Sequence, residues 1–134
     1  MAVLKTIAAF LNTDGGTLLI GVEDEGGVFG LEKDISLLKE NKQSLDGFEL
    51  ALRDLIASHL GAALSAAFVN IRFEKLDNQD VCVVEVSESG EGAFMEVVKG
   101  KGGQKELAYF IRAGNQTQAL DVKEMHRHIR LKGR

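Results

Sequence analysis

The sequence predicts one α+β domain over residues 1–134: a mixed, mainly antiparallel sheet with packed helices, in the order α-β-β-α-β-β-β-β-α. Three observations carry that reading. Apolar residues recur at helical spacing at Val3, Leu4, Ile7, Ala8, Phe10 and Leu11, and again at Phe48, Leu52, Leu55, Ile56 and Leu60. Alternating β-rich runs, Val69-Ile71-Phe73 among them, are joined by short turns rich in glycine, asparagine and aspartate. Two helix starts share one chemistry, an aspartate with a glutamate three residues on, at Asp46/Glu49 and Asp121/Glu124.

The elements follow in order. The first helix is expected to end near Asn12, because Asp14-Gly15-Gly16 follows and glycine pairs enter left-handed conformations freely. Residues 17–22 read as a buried strand, 23–27 as an acidic turn and 28–31 as the start of a returning strand. Residues 32–44 are polar and read as a loop with a short helix. Asp46 is expected to cap the central helix, Leu45 to staple to Leu50, and Gly61 to end it. Residues 77–80 are expected to turn the chain between a strand near 69–73 and its return over 81–86. Residues 94–99 and 107–113 flank the tip GKGGQKE and read as a hairpin. Asp121 is expected to cap the last helix, with Leu120 stapled to Met125 and with Val122, Met125 and Ile129 facing inward.

Composition bounds the function. At 45% hydrophobic and 27% charged residues, the chain has the make-up of a soluble globular domain. No apolar run approaches the roughly 18 residues of a membrane span, and no secretory signal is visible. One cysteine, Cys82, rules out an internal disulfide and fits a reducing cytoplasm; its place in VCVVEV reads as a buried, inert thiol. The net charge of −4 weighs against indiscriminate nucleic-acid binding. There is no proline. No P-loop exists, since Gly100-Lys101 is followed by Gly102 and Met95 stands where the first glycine belongs. No Cys/His spacing suits zinc; His126 and His128, two apart, do not share a helix face, and His59 reads as a boundary residue.

The stretch AFLNTDGGTLLIGVEDEGGVFGL at residues 9–31 and the segment YFIRAGNQT at 109–117 closely resemble the two motifs of the Schlafen AlbA-like domain, over Lys5 to about Ile129. The same domain occurs in bacterial regulators filed as divergent AAA proteins. The resemblance implies a nucleic-acid partner, DNA or RNA, and a transcriptional-regulator setting. It also implies that the full family domain carries a segment upstream of residue 1. In relatives that cut RNA, that upstream segment supplies two acids of a triad, and Asp24 matches the third. Mg2+ or Mn2+ is therefore expected only if acids outside this chain complete the site; no other cofactor is implied. The competing reading of Glu23, Asp24 and Glu25 is a solvated acidic turn.

Three groups of residues can meet phosphate. The resemblance places the turn after the first helix beside the 112–117 segment, which brings together Lys5, Asn12, Thr13, Arg112, Asn115 and Thr117. Arginine forks onto phosphate oxygens, and turn N–H groups add anion-binding character. The bland alternative is that Asn12, Thr13, Asn115 and Thr117 hold the two turns through side-chain-to-backbone bonds. The second group is the basic end, Lys123, Arg127, Arg130, Lys132 and Arg134, which equally suits a helix C-terminus. Lys99, Lys101 and Lys105 on the hairpin tip form the third, or are simply solvated.

The leading expectation is a non-catalytic nucleic-acid-binding module of a regulator, gripping phosphate through Lys5, Arg112, Asn115, Thr117, Arg127 and Arg130, with little base readout. Two alternatives stand beside it. One is an interaction or homodimerisation module using an edge-exposed first helix. The other is the remnant of a metal-dependent endoribonuclease, for which Asp24 alone is insufficient.

Overall fold

Helix α1, Ala2–Asn12, is the hub of the molecule. Leu4, Ile7, Ala8, Ala9, Phe10, Leu11 and Asn12 are all buried. Each large aliphatic side chain there contributes about 1.5–3 kcal/mol by leaving water. This computed structural model describes residues 2–23, 25–99 and 102–132. The expectation that α1 lies exposed at an edge is corrected: its apolar stripe is too broad to be left at a surface, and the core closes around it.

After α1 the chain runs through β1 (Gly16–Ile20), α2 (Glu32–Ser36), a 3-10 turn (Glu40–Lys42), α3 (Leu45–Leu60) and α4 (Ala62–Phe68). It continues through β2 (Val69–Leu76), β3 (Gln79–Val86), β4 (Met95–Lys99), β5 (Gln104–Ala113), β6 (Gln116–Leu120) and α5 (Val122–Lys132). The α+β class holds. The strands divide into two three-stranded sheets, β1-β3-β2 and β4-β5-β6, and every pairing among them is antiparallel. α1 packs against β5 and β6 of one sheet and against β1 and β3 of the other.

The glycine pair that ends α1 has two separate jobs. Gly15 sits at φ +74, and a Cβ there would meet the Val86 carbonyl oxygen at 2.6 Å. A Cβ at Gly16 would stand 2.7 Å from the Phe10 ring, so this glycine makes room for that ring. Gly15 N–H closes the helix by donating to Phe10 O at 2.9 Å.

Several expectations are corrected in detail. The returning strand at 28–31 is a single bridge, Val22 to Val28. Phe29 and Gly30 both donate to the Gly21 carbonyl, which folds the segment into a tight loop instead of a ladder. Helix α3 is capped by Ser44, not Asp46: the Ser44 hydroxyl accepts from Gly47 N–H at 3.0 Å from an extended backbone. Gly47 fixes that start, since a Cβ there would lie 1.9 Å from Lys42 O. Gly61 ends α3 as expected. Helix α4 was not foreseen; its AALSAAF carries no start signal, and Arg53 of α3 holds it by donating to Ser65 O at 2.8 Å. The β2–β3 turn is narrower than expected, with Asp77 and Asn78 alone at positive φ.

Residues 116–120 form a strand absent from the expected element order. Gly114 at φ +63 makes a two-residue turn with Asn115, and that turn drives the chain straight back along β5. Asp121 caps α5 as predicted, its Oδ1 accepting from Glu124 N–H at 2.8 Å. Val122, expected inward, is 68% exposed, because α5 reaches the sheet only after its first turn. Cys82 is wholly buried, and desolvation pushes its thiol up to about 11. No helix among the described residues is long and apolar enough to cross a membrane.

Candidate functional site

The site begins with a buried strut. Asn12 Nδ2 donates to Ala93 O at 2.8 Å and to Phe110 O at 2.9 Å, while its Oδ1 accepts from Ala93 N–H at 2.7 Å. This fully buried amide pins the end of α1 to β5 and to the segment entering β4. Thr13 adds a second tie: its hydroxyl donates to Ala9 O at 2.8 Å and accepts from Arg112 N–H at 3.0 Å. Asn12 and Thr13 therefore both bind backbone, but Asn12 ties α1 to distant Ala93 and Phe110 and does not hold its own turn as the bland alternative expected.

Those ties place two cations on one surface. Successive β-strand side chains alternate faces, so Phe110 and Arg112 both look toward α1. The Arg112 guanidinium lies 5.4 Å from the Phe10 ring centroid, and its Nη1 donates to Thr117 Oγ1 at 2.9 Å across the β5–β6 pair. The Lys5 ammonium lies 5.8 Å from the Phe110 ring centroid. Both distances are within cation–π range. One Nη1–H is used by Thr117, so the rest of the Arg112 fork remains to meet an anion. Asn115 is exposed at the tip of the same hairpin, beside this surface.

The α5 cations stand elsewhere. Tyr109 points to the opposite face of β5 from Phe110, and its hydroxyl meets His128 Nδ1 of α5 at 3.1 Å. Helices α1 and α5 thus cover opposite faces of β5. On α5 itself, Lys123, Arg127 and Arg130 share one side, and Met125, His128 and Ile129 share the other, which packs near Tyr109 and Gly92. Arg127 and Arg130 are exposed. The structure brings Lys5, Arg112 and Thr117 to one surface, leaves Asn115 exposed in the adjoining turn, and does not bring Arg127 and Arg130 to them.

Arg72 and Lys105 are already engaged. Arg72 bonds Glu74 and, at 3.1 Å, Glu85; the Arg72 and Asn70 donors hold the Glu85 carboxyl below its usual range. On the hairpin tip, Lys105 pairs with Glu96 at 3.4 Å. Lys101, Arg134 and Asp24 lie outside the described residues, as do the side chains of Lys99 and Lys132. Glu23 and Glu25 are exposed on the acidic turn, and among the described residues no three His, Cys, Asp or Glu side chains converge as a metal would need. The site residues that sequence reasoning missed are Phe10 and Phe110. Their signal was partial: each is an aromatic residue close in sequence to a cation of its own element, Phe10 with Lys5 on α1 and Phe110 with Arg112 on β5, whereas each ring meets the cation of the other element.

A cavity of about 440 Å3 between α1, α2 and α3, lined by Val3, Leu4, Phe48, Leu52, Leu55 and others, stands apart from these cations. Its one charged lining residue is Asp34, so it lacks the converging polar groups that fix a small ligand.

The family described as Schlafen, AlbA_2 matches residues 1–121, which takes in both motifs and stops where α5 begins. The expected resemblance ran on to about Ile129, so α5 lies beyond the match. No curated protein matches. A crystal structure of the DIP2311 protein from Corynebacterium diphtheriae is similar in fold, with a TM-score of 0.60 at 20% identity. That similarity covers 99% of this chain and 22% of the other, so the chain spans about a fifth of the length of that protein.

Proposed function

This chain belongs to the Schlafen AlbA_2 family, and on that premise we propose that it is a nucleic-acid-binding module that grips the phosphate backbone with Lys5 and Arg112, without chemistry of its own. The observation that carries the reading is the preparation of Arg112. Its guanidinium is held by Thr117 and the Phe10 ring, with donors left over, on a surface built from both family motifs. A cation ordered in advance loses less entropy on meeting phosphate than a free side chain does. Phe10 and Phe110 are buried under the cations, so the surface offers charge and no stacking platform. That favours backbone contact over recognition of unstacked bases. Arg127 and Arg130, on the other side of β5, serve as an accessory contact.

Fluorescence anisotropy with labelled duplex DNA and single-stranded RNA, across a salt series, tests this. Affinity is expected to fall steeply with salt, and Arg112→Ala to weaken all sequences alike while lowering the salt slope by about 1. Salt-independent binding, or none, removes the proposal.

A second reading, docking to another protein surface, is favoured by one observation. Val98 and Leu107 are 61% and 68% exposed on the outer face of the β4-β5-β6 sheet, and Leu131 of α5 is 61% exposed. A dimer or complex that persists on dilution with no nucleic-acid binding, read by light scattering, would favour it instead.

A further inference from the structure

We propose that β6 is an interface for a second copy of this chain, pairing antiparallel with the partner's β6 about a two-fold axis at Gln118. The consequence for function rests on the phosphate-gripping reading above; the interface itself does not.

The direction of the β6 backbone groups follows from two hydrogen bonds. Arg112 N–H donates to Thr13 and Phe110 O accepts from Asn12, so both groups point away from β6. In an antiparallel ladder, opposite residues share one bonding state. Thr117 is opposite Arg112 and Ala119 is opposite Phe110. The N–H and C=O of Thr117 and Ala119 therefore point outward, away from β5. Among the described residues no backbone hydrogen bond reaches them.

The outer edges of β4 and β2 are occupied or guarded. The Glu96 carbonyl on β4 is taken by His59 Nδ1 of α3 at 2.7 Å. β2 carries Arg72, Glu74 and Lys75, the charges that blunt an edge. β6, Gln-Thr-Gln-Ala-Leu, has neither charge nor proline.

The strand is also self-complementary. With the axis at Gln118, Thr117 of each copy exchanges both backbone bonds with Ala119 of the other, four bonds in all. Gln118 meets its own copy in the non-hydrogen-bonded position. Gln116 meets Leu120, so no like charges are opposed. α5 leaves β6 across the outer face, toward Tyr109 and Gly92, and clears the axis. α1 lies over β5, so the two α1 helices stand about three strand spacings, ~14 Å, apart, wider than a helix diameter of about 10–12 Å. The result is a continuous six-stranded sheet with two Lys5/Arg112 pairs on one face. Arg112 of one copy then shares a cross-strand row with Phe110, and hence Lys5, of the other. A duplex would meet four ordered cations in place of two.

Cysteine cross-linking of the full chain, without nucleic acid, tests the interface. Across the axis the Gln118 Cα atoms are about 4.5 Å apart, within disulfide reach, whereas the Gln116 Cα atoms are about 14 Å apart. Buried Cys82 does not compete. At several hundred micromolar protein under mild oxidation, Gln118→Cys is expected to give a covalent dimer and Gln116→Cys to stay monomeric, each with the thermal melt of the unmodified protein. No cross-link with Gln118→Cys, or equal cross-linking of both, overturns the proposal. In a second measurement, Gln118→Lys puts two ammonium groups on the axis while adding positive charge. Cooperative loading on duplex DNA, with a Hill slope near two, is expected to fall to about one; an unchanged slope overturns the proposal. A cross-linked dimer that binds no nucleic acid would keep the interface and remove the phosphate reading, and binding without a cross-link would do the reverse.

Discussion

Arg112 and the arginines of α5 carry the same charge and meet solvent in different ways. Arg112 is half-buried, bonded to Thr117, laid near the Phe10 ring and set on a backbone that Thr13 holds. Arg127 and Arg130 are exposed on the solvent side of an eleven-residue helix beyond the end of the family match. The first arrangement fixes where a phosphate must sit. The second supplies charge that salt screens and many rotamers share. Counting basic residues in the sequence treats the two alike, and the net charge of −4 hides both.

The largest effect is expected from the strut beneath the first region. Asn12→Ala leaves the Ala93 N–H and two carbonyls buried without partners, at about 1–3 kcal/mol for each unsatisfied group. Thermal or urea unfolding should show a loss of roughly 3 kcal/mol or more, and a change within about 0.5 kcal/mol would break the claim that α1 is pinned to β5. Arg112→Ala comes next. Loss of a charge-assisted contact of about 1.5 kcal/mol lowers duplex affinity about tenfold, with the melting temperature little changed. Arg127→Ala and Arg130→Ala should each cost about threefold at low salt, with the difference vanishing as salt is raised. The smallest effect sharpens the contrast most. Thr117→Val frees the guanidinium and should weaken binding about twofold, but only when Arg112 is present; an equal loss in the Arg112→Ala background would show that Thr117 does not act through Arg112.

Much of the fold was legible where local chemistry decides it. The α1 stripe, the glycine stop at 15–16, the Asp121 cap and the β4–β5 hairpin all follow from periodicity or turn residues. The misses have physical causes. Ser44 displaced Asp46 as a cap because Gly47 packs on Lys42 O, a contact that spacing cannot reveal. β6 gave no strand signal because Gln and Thr give little alternation, and register came from the two-residue turn at Gly114. For the site, the convergence of Lys5 with Arg112 and Thr117 came from the family resemblance. Asn12 reads in sequence as a turn residue, yet its partners lie 81 and 98 residues away. The separation of α5 from Arg112 depends on which face of β5 each neighbour covers, and only tertiary packing sets that.

In holding a duplex, the ordered cation is expected to outweigh the exposed ones. The most direct measurement compares duplex affinity for three proteins over a salt series by anisotropy: unmodified, Arg112→Ala, and Arg127→Ala with Arg130→Ala combined. As salt rises, the cost of the double change on α5 is expected to vanish before the cost of the single change at Arg112, the Debye length shortening from about 10 Å at 0.1 M toward 3 Å at 1 M. A double α5 variant that loses binding at every salt concentration, beside an Arg112→Ala variant that binds like the unmodified protein, would contradict it.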